Sequence, residues 1–379
     1  MNPDRDLTIL LTLKDRAAYT FRWMDYAEQI RLPFKVLIAD GGADERVPGI
    51  LSDKSRYPNV NYEYLRFPYD ASYADYYAKI VSALERVRTP YVVMADNDDF
   101  FVVQTLCDCV RFLAANSEFV ACGGQQVIFR LDPRAGNDEH SPYGYRASWK
   151  CTPDLRSIEG KSASARLCQQ AISHSDAFYD VKLTTLARQQ FTTIRELGLT
   201  DLFLMESLVV FLTGIAGMIK RMDTVSIVRQ HGSPGSSGGD HQQKYGGWFG
   251  RMLLPSWSGE FTRFLDVTAA GLAAADGMGA EAAREHMQRV YRMAVAPALL
   301  SDVLDEPTVT PLMSVWTTFV RCLVNLPEGS KLREFARRFY WRTRWLSADA
   351  TYGIDLVALP VAREKEDLAP IQDFLTRKP

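Results

Sequence analysis

Three aspartates stand within four residues at Asp96-Asn97-Asp98-Asp99, directly after the apolar run Tyr91-Val92-Val93-Met94-Ala95. Carboxylates this close repel one another and are costly to keep ionised unless positive charge joins them. A hard divalent cation with oxygen ligands supplies that charge and can bridge the carboxylates to diphosphate oxygens. An acidic solvated turn or a helix cap is the plainer reading of such a string taken alone. Position favours the cation, because two more acids close apolar runs upstream: Asp15 after Leu7–Thr12 and Asp40 after Phe34–Ala39.

A second set lies further on. Glu206 is embedded in Leu202-Phe203-Leu204-Met205-Glu206-Ser207-Leu208-Val209-Val210. A buried, unpaired glutamate is expensive, so it has a reason to be there: proton transfer, a buried ion pair, or a helix face turned to water. Asp201 is the alternative proton acceptor, but it stands where an N-cap acid would. His231 follows Val228-Arg229-Gln230 and precedes glycine; a lone histidine is usually ordinary surface or core. Arg229 and Lys244 are cations that could neutralise a diphosphate, and solvated surface is the plainer reading of Lys244.

These residues need elements to hold them. Leu7–Thr12 reads as a buried strand, Ala17–Arg31 as a helix stopped by Pro33, Phe34–Asp40 as a second strand broken by Gly41-Gly42, and Asn61–Phe67 as a third, alternating on Tyr62, Tyr64 and Arg66. Ala74–Val87 is helical in pattern and Pro90–Ala95 is a fourth strand. That order predicts an α/β fold with an open, mostly parallel sheet, whose ligands bind at the carboxyl ends of the strands. Phe119–Leu131 reads as a strand pair, Asp132–Arg156 as loop, Leu183–Leu197 and Asp201–Ala216 as helices, and Thr224–Arg229 as a last strand. The segment from His231 to Asp240 is flexible by composition and marks the expected division: a catalytic domain over 1–232, then a mobile loop and helical C-terminal region over 233–379. That region reads as helices over Gly259–Ala275, Ala280–Leu300, Thr310–Leu326 and Lys331–Trp345. Its aromatic residues at helical spacing read as core, or as a cover for an acceptor site or a homodimer contact.

Bulk properties narrow the class. The 379 residues are 47% hydrophobic and 24% charged, with a net charge of −2, which gives no global pull toward nucleic acid. No run has the length and apolarity of a signal segment or a membrane span, so the expected setting is cytoplasmic, with peripheral membrane contact left open. Six cysteines without CxxC pairing read as reduced core thiols.

The ordered set of motifs resembles the inverting, family 2 type of nucleotide-sugar glycosyltransferases with the GT-A (Rossmann-like) fold. In that family a first strand ends in T-x-N/D-R, a second in D-D/N-G-S, and a later one in D-x-D. This chain offers Thr12-Leu13-Lys14-Asp15-Arg16, then Asp40-Gly41-Gly42-Ala43, then Asp96-Asn97-Asp98. Further on, Glu206, Gly217, Val225–Val228 and Arg229-Gln230-His231 are similar to the family's acidic pair, glycine, strand and R-x-H-like segment. The resemblance covers roughly residues 7–232. There are departures: Gly41-Gly42-Ala43 replaces the usual acid and serine, Ser207 follows Glu206 in place of a second acid, and Tyr76-Tyr77-Ala78-Lys79 lies where the family often has an asparagine.

The resemblance implies a nucleotide-diphosphate sugar donor, with UDP the expected nucleotide, a glycan or other hydroxyl acceptor, and Mn2+ or Mg2+ as cofactor. Asp40 would accept a hydrogen bond from the donor base, or else simply form the turn before glycine. Thr12, Asp15, Arg16, Gly41 and Asn97 would lie along the nucleotide. Asp96 would contact ribose or metal, Asp98 would be the principal metal ligand, and Asp99 is a weaker candidate that would equally suit a cap on the next helix. His231 would be a late metal or phosphate contact. Inverting transfer needs a carboxylate to take the acceptor's proton, and Glu206 is the expected base ahead of Asp201. A sugar-1-phosphate nucleotidyltransferase is the alternative enzyme, but Thr12–Ala17 lacks the glycine-rich phosphate loop such an enzyme would need. A non-catalytic glycan- or partner-binding domain is the other alternative.

Overall fold

β1 (Leu7–Leu13) is buried along almost its whole length, as an apolar run covered on both faces must be. In the computed structural model it pairs in parallel with β2 (Lys35–Asp40) on one side and β4 (Tyr91–Ala95) on the other, and β3 (Tyr62–Arg66) extends the parallel set beyond β2. The structure describes residues 6–132, 142–144, 146–151, 155–173, 177–230, 233, 241, 244–304 and 361–376. Helix α1 (Ala17–Gln29) follows β1, the short α2 (Arg46–Leu51) follows β2, and α3 (Tyr73–Arg86) links β3 to β4. Ser72 and Asp75 start α3 with a reciprocal capping box.

Beyond β4 the sheet is mixed. The added strands are β5 (Phe100–Phe101), β6 (Phe119–Asp132), β7 (Arg146–Cys151), β8 (Val181–Leu183) and β9 (Met218–Gln230). Their order is β3-β2-β1-β4-β8-β6-β9-β5, with β7 paired to β6 off that path. β6 and β9 run parallel, whereas β8, β5 and β7 pair antiparallel to their neighbours. This is the expected α/β class: a mixed, largely parallel sheet flanked by helices. Three details differ from the sequence reading. Phe119–Leu131 is one long strand with register shifts near Gly123 and Gly124, not a pair, because both glycines sit where a Cβ would collide with β9 or with the Asp180–Arg221 pair. The region expected as loop contains β7, and the last strand begins six residues earlier than expected, at Met218.

The helices are α4 (Val103–Ala115), α5 (Ala163–Ser173), α6 (Thr184–Leu197), α7 (Leu202–Ala216), α8 (Trp248–Met252), α9 (Trp257–Asp276), α10 (Ala280–Leu304) and α11 (Val361–Thr376). α9 packs on α7 and α10, and α10 on α5, so Phe264, Leu272, Met287 and Val290 join the same buried cluster as β1 and β4. α11 packs against β7 and β9, where Leu368, Ile371, Phe374 and Leu375 close a second cluster around Tyr26, Phe100 and Phe129. The expected helices over Thr310–Leu326 and Lys331–Trp345 lie outside the described residues, as does most of the segment from His231 to Asp240. No helix among the described residues is long and apolar enough to cross a membrane.

Candidate functional site

The registers bring the strand ends to one edge. Leu13 pairs with Asp40, Leu11 with Ala95, and Asp40 with Arg66, so the chain leaves β1, β2, β3 and β4 on the same side of the sheet. Asp15, Asp40 and Asp96 therefore follow strands that end along one edge of the sheet, the edge at which open α/β sheets bind ligands.

The exit from β1 is strained. Asp15 and Arg16 both have φ of 56°, in the left-handed region that side chains with a Cβ rarely adopt. Two consecutive residues of this kind cost on the order of 1–3 kcal/mol each and persist only where surrounding contacts hold them. Here the Asp15 carboxylate accepts from the Ala43 N–H at 2.7 Å, and the Arg16 guanidinium donates to Asp98 at 3.0 Å. The Arg16 carbonyl accepts the first backbone bonds of α1, from Tyr19 and Thr20. The turn thus sends one side chain to the end of β2 and the next to the end of β4.

At the end of β4, oxygen atoms of Asp96, Asp98 and Asp99 lie within 4.8 Å of one another. All three are held by the surrounding protein. Asp96 accepts from the Tyr179 hydroxyl at 2.5 Å. Asp98 accepts from Arg16 and, at 2.5 Å, from the Ser233 hydroxyl. Asp99 accepts from Arg229 Nε and from the Gln230 N–H, both at 3.1 Å. Asp99 therefore does not cap the next helix: the N-cap of α4 is Val102, with no side-chain hydrogen bond, and Asp99 faces the end of β9 instead.

Burial and mutual repulsion shape the charges. Burial raises Asp96, reinforced by Asp98, and outweighs the Tyr179 hydrogen bond and the pull of Arg229. Burial also drives Asp99 up to about 8, against Arg229 and with Asp98 and Asp96 adding to the rise. For Asp98, burial is outweighed by Arg16, the Ser233 hydroxyl and Arg22, and its carboxyl lies below the usual range. Arg22 is itself pulled down to about 10 by burial, against Asp98. Three converging carboxylates, two of them pushed toward the neutral form, make a pocket that a divalent cation would relieve. The acidic cluster can therefore hold such an ion, with Asp98 the member already most anionic.

Asp40 sits on the other wing. It is 1% exposed, accepts from the Gly42 N–H at 2.8 Å, and receives both the Tyr64 hydroxyl and Arg66 at 2.6 Å. The turn-forming role of an aspartate before glycine is thus realised. Beside it, a Cβ on Gly41 would lie 2.4 Å from Asp70, whose carboxylate is locked in a buried pair with Lys79. Lys79, in the helix region where the resemblance expected asparagine, also donates to the Leu13 carbonyl at 2.7 Å and so ties α3 to the end of β1. Thr12 meets the Tyr76 hydroxyl. Asn97 is turned into α1, where its amide donates to Thr20 Oγ1 at 3.0 Å.

The two candidate bases occupy different surroundings. Asp201 is the N-cap of α7, accepting from the Leu204 N–H at 2.9 Å, and also pairs with Arg251 at 2.8 Å and with His241 at 3.4 Å. Glu206, half-buried further along α7, lies within electrostatic reach of Arg251 and of Tyr76. Tyr76 also lies within electrostatic reach of Asp96. Arg229 closes the cluster on the β9 side, Lys244 is exposed, and His231 lies outside the described residues.

Sequence reasoning missed Tyr179, Ser233, Arg22 and Tyr76, none of which carries a local motif. Arg66 and Tyr64 were legible as one strand face, but not as partners of Asp40.

No protein-family model matches this chain, and no curated protein matches it. Among solved structures it is similar to TarS 1–349 of S. aureus in complex with UDP, at 12% identity and a TM-score of 0.47, over 93% of this chain and 95% of that one. It is also similar to the mannosyltransferase PcManGT from Pyrobaculum calidifontis in complex with GDP-Man and Mn2+, at 14% identity and a TM-score of 0.39, over 91% and 85% of the two chains. At these identities and TM-scores the likeness is one of general layout, and the chemistry of the site follows from its own geometry.

Proposed function

We propose that this chain is a metal-dependent glycosyltransferase of the GT-A type, moving a sugar from a nucleotide-diphosphate donor to a hydroxyl acceptor with inversion. The observation that carries the reading is the convergence of Asp96, Asp98 and Asp99 at the end of β4, flanked by Arg16 and Arg229. A buried acidic cluster edged by guanidinium groups suits a cation and a diphosphate together. The strand-end residues Thr12, Asp15, Asp40 and Gly41 would form the nucleotide wing, with a UDP-sugar as the expected donor.

Asp96 and Asp98 would hold Mn2+ or Mg2+, with Asp99 beside them and His231 as a further proposed contact. The bound ion would offset the negative charge that develops on the leaving diphosphate. Arg16 and Arg229 would contribute to the same end from the protein. Glu206 would take the proton of the acceptor hydroxyl as its oxygen bonds to the sugar C1 and the bond from C1 to the phosphate oxygen breaks. Glu206 is proposed ahead of Asp201, which serves α7 as its N-cap. A cytoplasmic setting and a glycan acceptor belong to the same proposal.

The test is a screen of UDP- and GDP-sugars for Mn2+-dependent thermal stabilisation and hydrolysis. Wild type should respond to at least one nucleotide only with metal, and Asp98→Ala should abolish the response. If no nucleotide diphosphate stabilises the wild type with metal, the reading fails. Glu206→Gln should keep donor binding and lose turnover; full activity would remove Glu206 as the base.

A further inference from the structure

His241 is 3% exposed and is held from both ring nitrogens. Its Nδ1 lies 3.1 Å from the Tyr73 hydroxyl and its Nε2 lies 3.4 Å from the Asp201 carboxylate. One neutral tautomer satisfies both contacts: Tyr73 donates to Nδ1, and Nε2–H donates to Asp201. The other tautomer would set a bare nitrogen against a carboxylate. The rings of Tyr73, Phe203 and Tyr245 pack around the imidazole with centroids 4.8–5.8 Å away. Asp201 is fixed in turn by the Leu204 N–H and by Arg251, which is 1% exposed and lies over the rings of Phe203 and Trp248.

The chain of bonds joins two helices that carry different parts of the site. Tyr73 is the first residue of α3; one turn on, Tyr76 meets Thr12 at the end of β1 and stands within electrostatic reach of Asp96. Asp201 starts α7, the helix that bears Glu206. Lys79 fastens the same α3 to β1 through the Leu13 carbonyl and Asp70. α3 is therefore fixed to the donor wing from below, and His241 is the polar bridge from its upper end to α7.

We propose that His241 is a positioning residue for the transfer reaction, setting the distance between the donor-facing cluster and Glu206 by bridging Tyr73 to Asp201. The inference rests on the glycosyl-transfer reading. Its physical content is that a general base must stand within hydrogen-bond reach of an oxygen that is itself in attack range of C1. A displacement of about 1 Å between these groups can cost on the order of a hundredfold in rate, with donor binding untouched.

The experiment compares His241→Phe, His241→Gln and Tyr73→Phe with wild type in Mn2+-dependent hydrolysis of UDP-GlcNAc and GDP-Man, with UDP affinity measured in parallel. His241→Phe should lower kcat by about ten- to a hundredfold while KM and UDP affinity stay within about twofold. His241→Gln, which keeps a donor toward Asp201, should recover most of the loss. Tyr73→Phe, which deletes one hydroxyl and keeps the ring, should lower kcat several-fold with the same split and covers the case in which His241→Phe does not fold. Unchanged kcat in the variants, or a fall of kcat together with UDP affinity and no recovery by glutamine, overturns the inference and leaves the glycosyl-transfer reading standing. Absence of any Mn2+-dependent nucleotide response in the wild type would instead overturn that reading, and this inference with it.

Discussion

The Tyr179 hydroxyl donates to Asp96 at 2.5 Å, and the same oxygen accepts from Arg229 at 3.2 Å. Tyr179 thereby links the end of β4 to the end of β9, and the Arg229 guanidinium lies over its ring at 4.3 Å. A side chain that orients a metal-ligating group contributes about ten- to a hundredfold to metal affinity or activity. Tyr179→Phe should weaken Mn2+ affinity, measured in the presence of UDP, by about that factor with the fold retained. Unaltered Mn2+ affinity would show that Asp96 needs no such support.

Gly41 is the second point of leverage. A Cβ there would meet the Asp70 carboxylate, which cannot swing aside without breaking its buried pair with Lys79. Gly41→Ala should cost about 1–3 kcal/mol in urea unfolding, in the range of other overpacked sites. A neutral result would mean that the Asp70–Lys79 pair shifts at no cost.

How much of this was legible beforehand follows from where each signal lies. The ends of β1, β2 and β4 were readable because fully buried strands are apolar runs and the acids that close them stand out against them. Asp98, the proposed ion-holding residue, stands out for the same reason. Tyr179, Ser233 and Arg22 were not: each reaches the acidic cluster across a large gap in sequence and sits in no periodic pattern. The cap alternative for Asp99 fails: an acid before a helix looks like a cap, whereas its partners, Arg229 and the Gln230 N–H, come from β9. α11 escaped notice because its sequence is rich in charge, and among its described residues the core is met by Leu368, Ile371, Phe374 and Leu375.

Asp201 gives the fold a dependence on pH. Burial raises its carboxyl, but the His241 hydrogen bond, Arg251 and the Leu204 N–H outweigh burial and leave it below the ordinary value. A folded pKa below the unfolded one stabilises the fold fully above about pH 4, and the benefit fades as pH falls through the folded value. Asp201→Asn keeps a capping oxygen but loses the charge, so it should cost about 2 kcal/mol at pH 7. The gap to wild type in thermal or urea unfolding should narrow between about pH 4 and the acid limit of the fold. A gap that stays constant with falling pH would show that the charge of Asp201 contributes nothing.

Phe374 anchors α11. Its ring packs against Tyr26 at 5.1 Å, Phe100 at 6.2 Å and Tyr143 at 5.8 Å between centroids. Phe374→Ala should destabilise the protein by about 3–5 kcal/mol. Chemical denaturation checks this, and a loss below about 1 kcal/mol would mean that the cluster closes without the helix.

The docking of α11 also has a consequence for synthesis. Tyr26, Phe100 and Phe129 leave the ribosome long before Phe374 exists, and at ordinary elongation rates that delay is on the order of tens of seconds. Throughout it, an apolar patch beside β5 and β9 lacks the residues that finally cover it. Nascent chains of this protein should therefore be chaperone clients until α11 has been made, and chains released before it should aggregate even though every residue of the acidic cluster is already in place.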